Sequence, residues 1–198
     1  MMMLAALLMT AMNVNAQSDK PKHELGVSYG LGVSLIGDGI GTAIGNGLFD
    51  GITGHEWKDN KQFGTLGIEY FYHLNNPRLA VGGILTFAQY GEDVVKKNGG
   101  AVVGTRTRNY YSVMPAFKYY WVNKKKFGLY SKAAAGMMFL NYKDKDKELN
   151  KTLTDNDVLF MFQVSLIGAE VGSQNLRGFA ELGGGEQGIV MFGVRAKF

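Results

Sequence analysis

Cysteine is absent from the 198 residues, so the chain can build neither a disulfide framework nor a thiolate metal site. Proline is scarce, at 3 residues. No continuous apolar run reaches the ~18 residues that a transmembrane helix needs. If the chain crosses a membrane, it must do so as a closed barrel. Charge of one sign is not gathered into a stripe. The formal net charge is only +4, and no basic face marks a nucleic-acid binder. The lysines of "NKKKF" read as a solvated turn. There are 3 histidines, namely His23, His55 and His73. None precedes a strand serine by two residues, so no nucleophile–base pair is recognised and no catalytic residue is assigned. The glycines of "LIGDGIGTAIGNG" miss the dinucleotide spacing and lack a following βα pattern. The fragments "DKDKE" and "DND" lack the glycine and terminal glutamate of a calcium loop. No cofactor and no metal is expected.

What the chain does have is glycine, 28 residues of it, with 12 Phe and 10 Tyr. That glycine count is roughly double ordinary usage. It disfavours helices and suits many strands joined by turns. The first 16 residues, within "MMMLAALLMTAMNVNAQ", carry an apolar run too short for a bilayer span. They read as a secretory signal, with residues 17–198 forming one mature domain.

From there, alternation takes over. In "HELGVSYGLGVSLI", Leu25, Val27, Tyr29, Leu31 and Val33 oppose Glu24, Gly26, Ser28, Gly30 and Gly32. One face is bulky and apolar. The other is small or polar, as a cramped interior requires. The same pattern returns in "FGTLGIEYFYHL", "RLAVGGILTFAQY", "NYYSVMPAFKYYW", "FGLYSKAAAGMMF", "VLFMFQVSLIG", "GFAELGGG" and the closing "GIVMFGVRAKF". These eight segments are joined by alternately long and tight connections. The long ones are about 36–61, 91–105 and 141–157, and the tight ones are "NNPR", "NKKK" and "GSQNLR". "GGGEQG" is the one short connection at the long end. An even number of strands with short turns at one end and long loops at the other is the plan of an outer-membrane barrel. The expectation is an all-β, eight-stranded, antiparallel, up-and-down transmembrane β-barrel.

Pro115 lies inside the fourth segment and predicts a bulge or kink there. Tyr70, Tyr72, Tyr119, Tyr120 and Trp121 fall beside the tight turns, as an interfacial aromatic belt would. The inward-phased charges are Glu24, Glu69 and Glu181 against Lys118, Lys132, Arg195 and Lys197, with His73 as an extra member. Unpaired charge in a narrow lumen is very costly, so these residues are expected to form a salt-bridge network. Phe49, Ile52 and Trp57, set among glycines in the first long connection, are the candidates for contact with a partner.

In the closing strand, Val190, Phe192, Val194, Ala196 and Phe198 alternate and are expected to face lipid. This stretch, with "FQVSLIGAEVG" and "FAELGGG" before it, resembles the last hairpins of the small outer-membrane β-barrel proteins of the OmpA/OmpX-like group. The resemblance covers essentially the whole mature chain. It implies that the terminal strand is the signal read by the outer-membrane assembly machinery. It also implies a Gram-negative outer-membrane location, with lipid and lipopolysaccharide around the barrel. Roles within that group include envelope integrity, adhesion and contact with a host or cell-surface partner. The peptidoglycan-binding domain of larger members is not expected here. A non-enzymatic structural or surface-interaction role follows from this reading. The rivals are a narrow pore, a lipid-modifying barrel enzyme and a soluble periplasmic ligand-binding barrel.

Overall fold

The computed structural model describes residues 21–31, 55–96, 102–146 and 151–198. The strands are β1 (His23–Leu31), β2 (His55–His73), β3 (Leu79–Lys96), β4 (Val102–Asn123), β5 (Phe127–Asp146), β6 (Lys151–Gly172), β7 (Leu176–Gly185) and β8 (Val190–Lys197). Each pairs antiparallel with its sequence neighbours, and β8 returns to pair with β1, closing an eight-stranded barrel. Closure leaves no edge within the barrel itself. At the seam Glu24 faces Lys197 and Val27 faces Val194. His23 and Phe198 exchange backbone hydrogen bonds of 2.8 and 2.9 Å there. Tight turns join β2 to β3, β4 to β5 and β6 to β7 at this same end.

Alternation sorts the side chains as oil would outside and water would inside. Leu85, Val113, Met137, Phe160, Leu166, Val171 and Leu182 stand exposed on the outer face. On the inner face Glu24, Glu69, Lys118, Lys132 and Arg195 are buried. A soluble protein shows the reverse. On β4, outward Trp121 lies near the turns and outward Tyr111 lies ten positions away towards the other end. That separation is roughly 33 Å along the strand, or about 25 Å along the axis at a tilt near 40°. This is the height of a bilayer's apolar band. Phe87 and Tyr111 pack 5.2 Å apart at its upper limit. One rung further on, Gln89, Asn109, Asn141 and Asn156 run in register across β3, β4, β5 and β6. Gln89 bonds Asn109 at 2.9 Å and Asn141 bonds Asn156 at 2.7 Å. A row of amides directly above a row of aromatics marks where apolar surroundings end.

Strands β2 to β6 do not end at that row. They run for 18 to 22 residues, about twice what a bilayer requires. Backbone pairing continues to His55 with Lys96 and to Asp146 with Lys151. The expected long loops at 91–105 and 141–157 are therefore largely ladder, as is the end of the loop expected at 36–61. Among the described residues β1, β7 and β8 are short, and the ladder beyond the band is the sheet of β2 to β6. Of the bulge or kink expected at Pro115, no bulge is found: Pro115 pairs with Gly83 in unbroken register, while towards β5 the pairing lapses at Met114 and Pro115 and resumes in the same register at Ala116 with Ala134, and the register shift falls at Tyr120/Val122.

Candidate functional site

The lumen is filled rather than open. Its centre is Arg195, which is wholly buried. Its guanidinium lies 3.4 Å from Glu24, 3.6 Å from Glu69, 2.9 Å from Glu170 and 3.3 Å from Glu181. It stacks on Phe179 at 3.7 Å and on Tyr130 at 4.9 Å. Lys132 joins Glu69 at 2.6 Å and Glu181 at 2.7 Å. Lys118 pairs with Glu24 and sits 3.9 Å above the Phe71 ring. Lys197 reaches Glu170 at 2.5 Å and Glu24 at 3.3 Å. His73 Nε2 lies 3.1 Å from Glu24. All seven residues of the expected network thus sit together: Glu24, Glu69, Lys118, Lys132, Glu181, Arg195 and Lys197. They come from β1, β2, β4, β5, β7 and β8, and barrel closure alone brings them to one layer.

Three further members lie outside the expected set. Glu170 is buried and bonds Arg177, Arg195 and Lys197. A bulge at Leu166 and Ile167, where the β6–β7 register shifts, puts both side chains outside. After it the inward phase changes from odd to even positions, and a bulge does this by inserting one residue. Arg177, read as part of a tight turn, lies on β7 and faces inward. Tyr120, expected in the aromatic belt, is wholly buried, and its hydroxyl bonds Glu24 at 3.0 Å. The belt at the turn end is instead carried by Tyr70, Tyr72, Tyr119 and Trp121.

A second layer closes the lumen towards the long end. The "GGGEQG" connection folds inward, leaving Glu186 and Gln187 each 2% exposed. Gly185 and Gly188, at φ of +130° and +99°, allow the chain to turn in and out again. Glu186 accepts hydrogen bonds from Ser112 at 3.0 Å and Thr86 at 3.4 Å. The Gln187 side chain accepts from Lys132 at 3.1 Å and donates to Glu69 at 3.3 Å. Its backbone N–H donates to the Gln163 side chain at 2.7 Å. Long polar residues bracketed by glycines were the available signal for this plug.

On the closing strand, Val190, Phe192 and Val194 are exposed on the outer face. Ala196 shares their phase but is buried, flanked by Leu25 and Leu176 in register. A methyl group is too short to rise above such neighbours, so Ala196 meets side chains and not the surroundings. Phe198 is half-buried and stacks on His23 at 5.6 Å. Trp57 lies on β2, backbone-paired with Val94, and not in a loop. Phe49 and Ile52 lie outside the described residues. Among the described residues, no group of three or more His, Asp or Glu is arranged to hold a metal ion.

A closed barrel with an apolar exterior, a charged and blocked interior and an amide rung at the edge of its apolar band is a transmembrane β-barrel. No protein-family model matches the chain, and no curated protein sequence matches it. Among solved structures it is similar to the crystal structure of Ail, the attachment invasion locus protein of Yersinia pestis. The two are 14% identical with a TM-score of 0.48, over 90% of this chain and 99% of that one. A second structure of Ail, in complex with the heparin analogue sucrose octasulfate, is also 14% identical, with a TM-score of 0.47 over 89% and 99% of the two chains.

Proposed function

We propose that this chain is a non-enzymatic outer-membrane protein of a Gram-negative bacterium that presents a sheet to the outside. The observation that carries this reading is the five-stranded ladder of β2 to β6 continuing past the amide rung. The barrel anchors that sheet. Among the described residues β7 pairs with β6 no further than Gln163 with Gly185, so β6 from Lys151 to Met161 offers an edge of backbone N–H and C=O groups on that side. Such an edge is suited to accepting a strand from a partner. The partner would be a host or cell-surface polypeptide. Membrane lipid and lipopolysaccharide surround the apolar band below. The two-layer lumen argues against the narrow-pore reading, because ions would have to displace Arg195 or Glu186 to pass. In this reading the alternating end of β8 with Phe198 is the assembly signal, and residues 1–16 are removed on export.

The absence of cysteine makes a clean test. Asn156→Cys sits at the extended end and Lys125→Cys in a tight turn. In intact cells a membrane-impermeant maleimide should label Asn156→Cys, and should label Lys125→Cys only after the outer membrane is opened. Labelling of Lys125→Cys alone in intact cells would overturn the orientation.

A further inference from the structure

The tight-turn end of the barrel carries a cup of about 390 Å³ at the mouth of the lumen. It is lined by residues from ahead of β1, from the three tight turns and from the ends of the lumen strands. Its charged and titratable members are Lys22, His73, Lys124, Lys125, Arg177 and Lys197, and no carboxylate is among its described lining residues. The bases divide into two groups. Arg177 and Lys197 are committed to Glu170, and His73 is committed to Glu24. Lys22, Lys124 and Lys125 have no ion-pair partner among the described residues. Yet the turn that carries Lys124 and Lys125 is held in place. The Arg177 guanidinium donates to the backbone carbonyls of both, at 2.9 Å each, and Asn123 donates to the carbonyl of Pro77 at 2.7 Å. Elsewhere the chain pairs its inward-facing bases with care. Here it fixes the backbone of a turn whose two exposed lysines line a concavity.

We propose that this cup binds a phosphate-bearing anion. Three free ammonium groups match a phosphate monoester, whose charge near neutrality is about −1.5 to −2, better than a single carboxylate. The volume falls at the lower end of the small-ligand range, enough for a phosphate with a short polar arm. Because the cup opens at the lumen mouth and not on the lipid-facing wall, the phosphate must come from the aqueous side or from a headgroup bending in over the rim. A turn preset by Arg177 lowers the ordering cost of binding. The inference needs only the barrel; the proposed orientation adds that the cup faces the periplasm.

The test uses the folded full barrel in an uncharged maltoside detergent, with NMR titration by glycerol 3-phosphate and, separately, by inorganic phosphate. A third arm places the barrel in nanodiscs with and without phosphatidylglycerol. Saturable shifts of the Lys22, Lys124, Lys125 and Arg177 amides are expected with the soluble phosphates. Shifts confined to the phosphatidylglycerol arm would assign the phosphate to a lipid headgroup. The double variant Lys124→Gln/Lys125→Gln should weaken binding by roughly tenfold or more, since two of the three ammonium groups are lost. Lys143→Gln/Lys145→Gln, the same charge change on the far half of β5, should leave it unaltered. Heat-modifiable gel migration confirms that each variant is folded. No saturable shift in any arm, or equal weakening by both double variants, would overturn the proposal.

Discussion

Arg195→Met is the sharpest perturbation of the lumen. The side chain is wholly buried and touches four carboxylates, those of Glu24, Glu69, Glu170 and Glu181, at 2.9 to 3.6 Å. Methionine restores most of the volume but none of the charge, so the cost is chiefly electrostatic. Breaking a buried pair by removing one partner costs ~3–5 kcal/mol. The lost stacking on Phe179 and Tyr130 adds about 1–2 kcal/mol. Lys118, Lys132 and Lys197 still face the same carboxylates and offset part of the loss. The net expectation is about 3–4 kcal/mol, a shift of the folding constant by roughly two to three orders of magnitude. Urea titration in phosphatidylcholine vesicles, followed by tryptophan fluorescence, reads it. Without Arg195, Glu69 and Glu181 share Lys132 as their ion-pair partner, so the double variant Arg195→Met/Glu69→Gln removes one undercompensated carboxylate and should recover a measurable share. A loss under about 1 kcal/mol, or a double variant no more stable than the single, would refute the claim that Arg195 neutralises the layer.

Val194→Lys puts a charge on the exposed outer face and should cost about 2–4 kcal/mol in the same assay. Met191→Lys enters the packed lumen instead, so its loss should not follow changes in bilayer thickness while that of Val194→Lys should. In planar bilayers the chain should show no conductance steps, and Glu186→Ala/Gln187→Ala should stay silent too, because the Arg195 layer still blocks the lumen. Discrete openings in that variant would show that the plug alone seals it. Phe198→Ala loses a single ring stack on His23, so refolding into vesicles should change little, within about 1 kcal/mol. Its level in the outer membrane of cells should nevertheless fall sharply, and normal levels would argue against a terminal assembly signal.

The barrel was legible because a bilayer and a narrow lumen impose opposite chemistries on adjacent residues. Leu66, Ile68 and Tyr70 against Glu69 and Phe71 is a pattern that survives translation into structure directly. Beyond the amide rung that contrast fades from the sequence. "GEDVVKKNGG" therefore read as loop, although its residues from Gly91 to Lys96 are in ladder. Backbone hydrogen bonds leave little trace when side chains are not sorted by solvent. Glu170 was hidden by a bulge at Leu166 and Ile167, which no composition rule marks. Tyr120 shares its phase with Lys118, so strict alternation places it inside. Its closeness to a turn drew it wrongly into the belt. Glu186 and Gln187 depended on a loop folding inward, which requires knowing that the space beneath it is empty of other chain.

The chain is an inside-out barrel seated in a membrane. Fractionation of cells expressing the chain, followed by gel electrophoresis of heated and unheated samples, tests it most directly. Recovery in the membrane fraction, extraction only with detergent, and a migration shift on heating that reports a closed barrel are expected. A monomer found in the soluble fraction without detergent would contradict it.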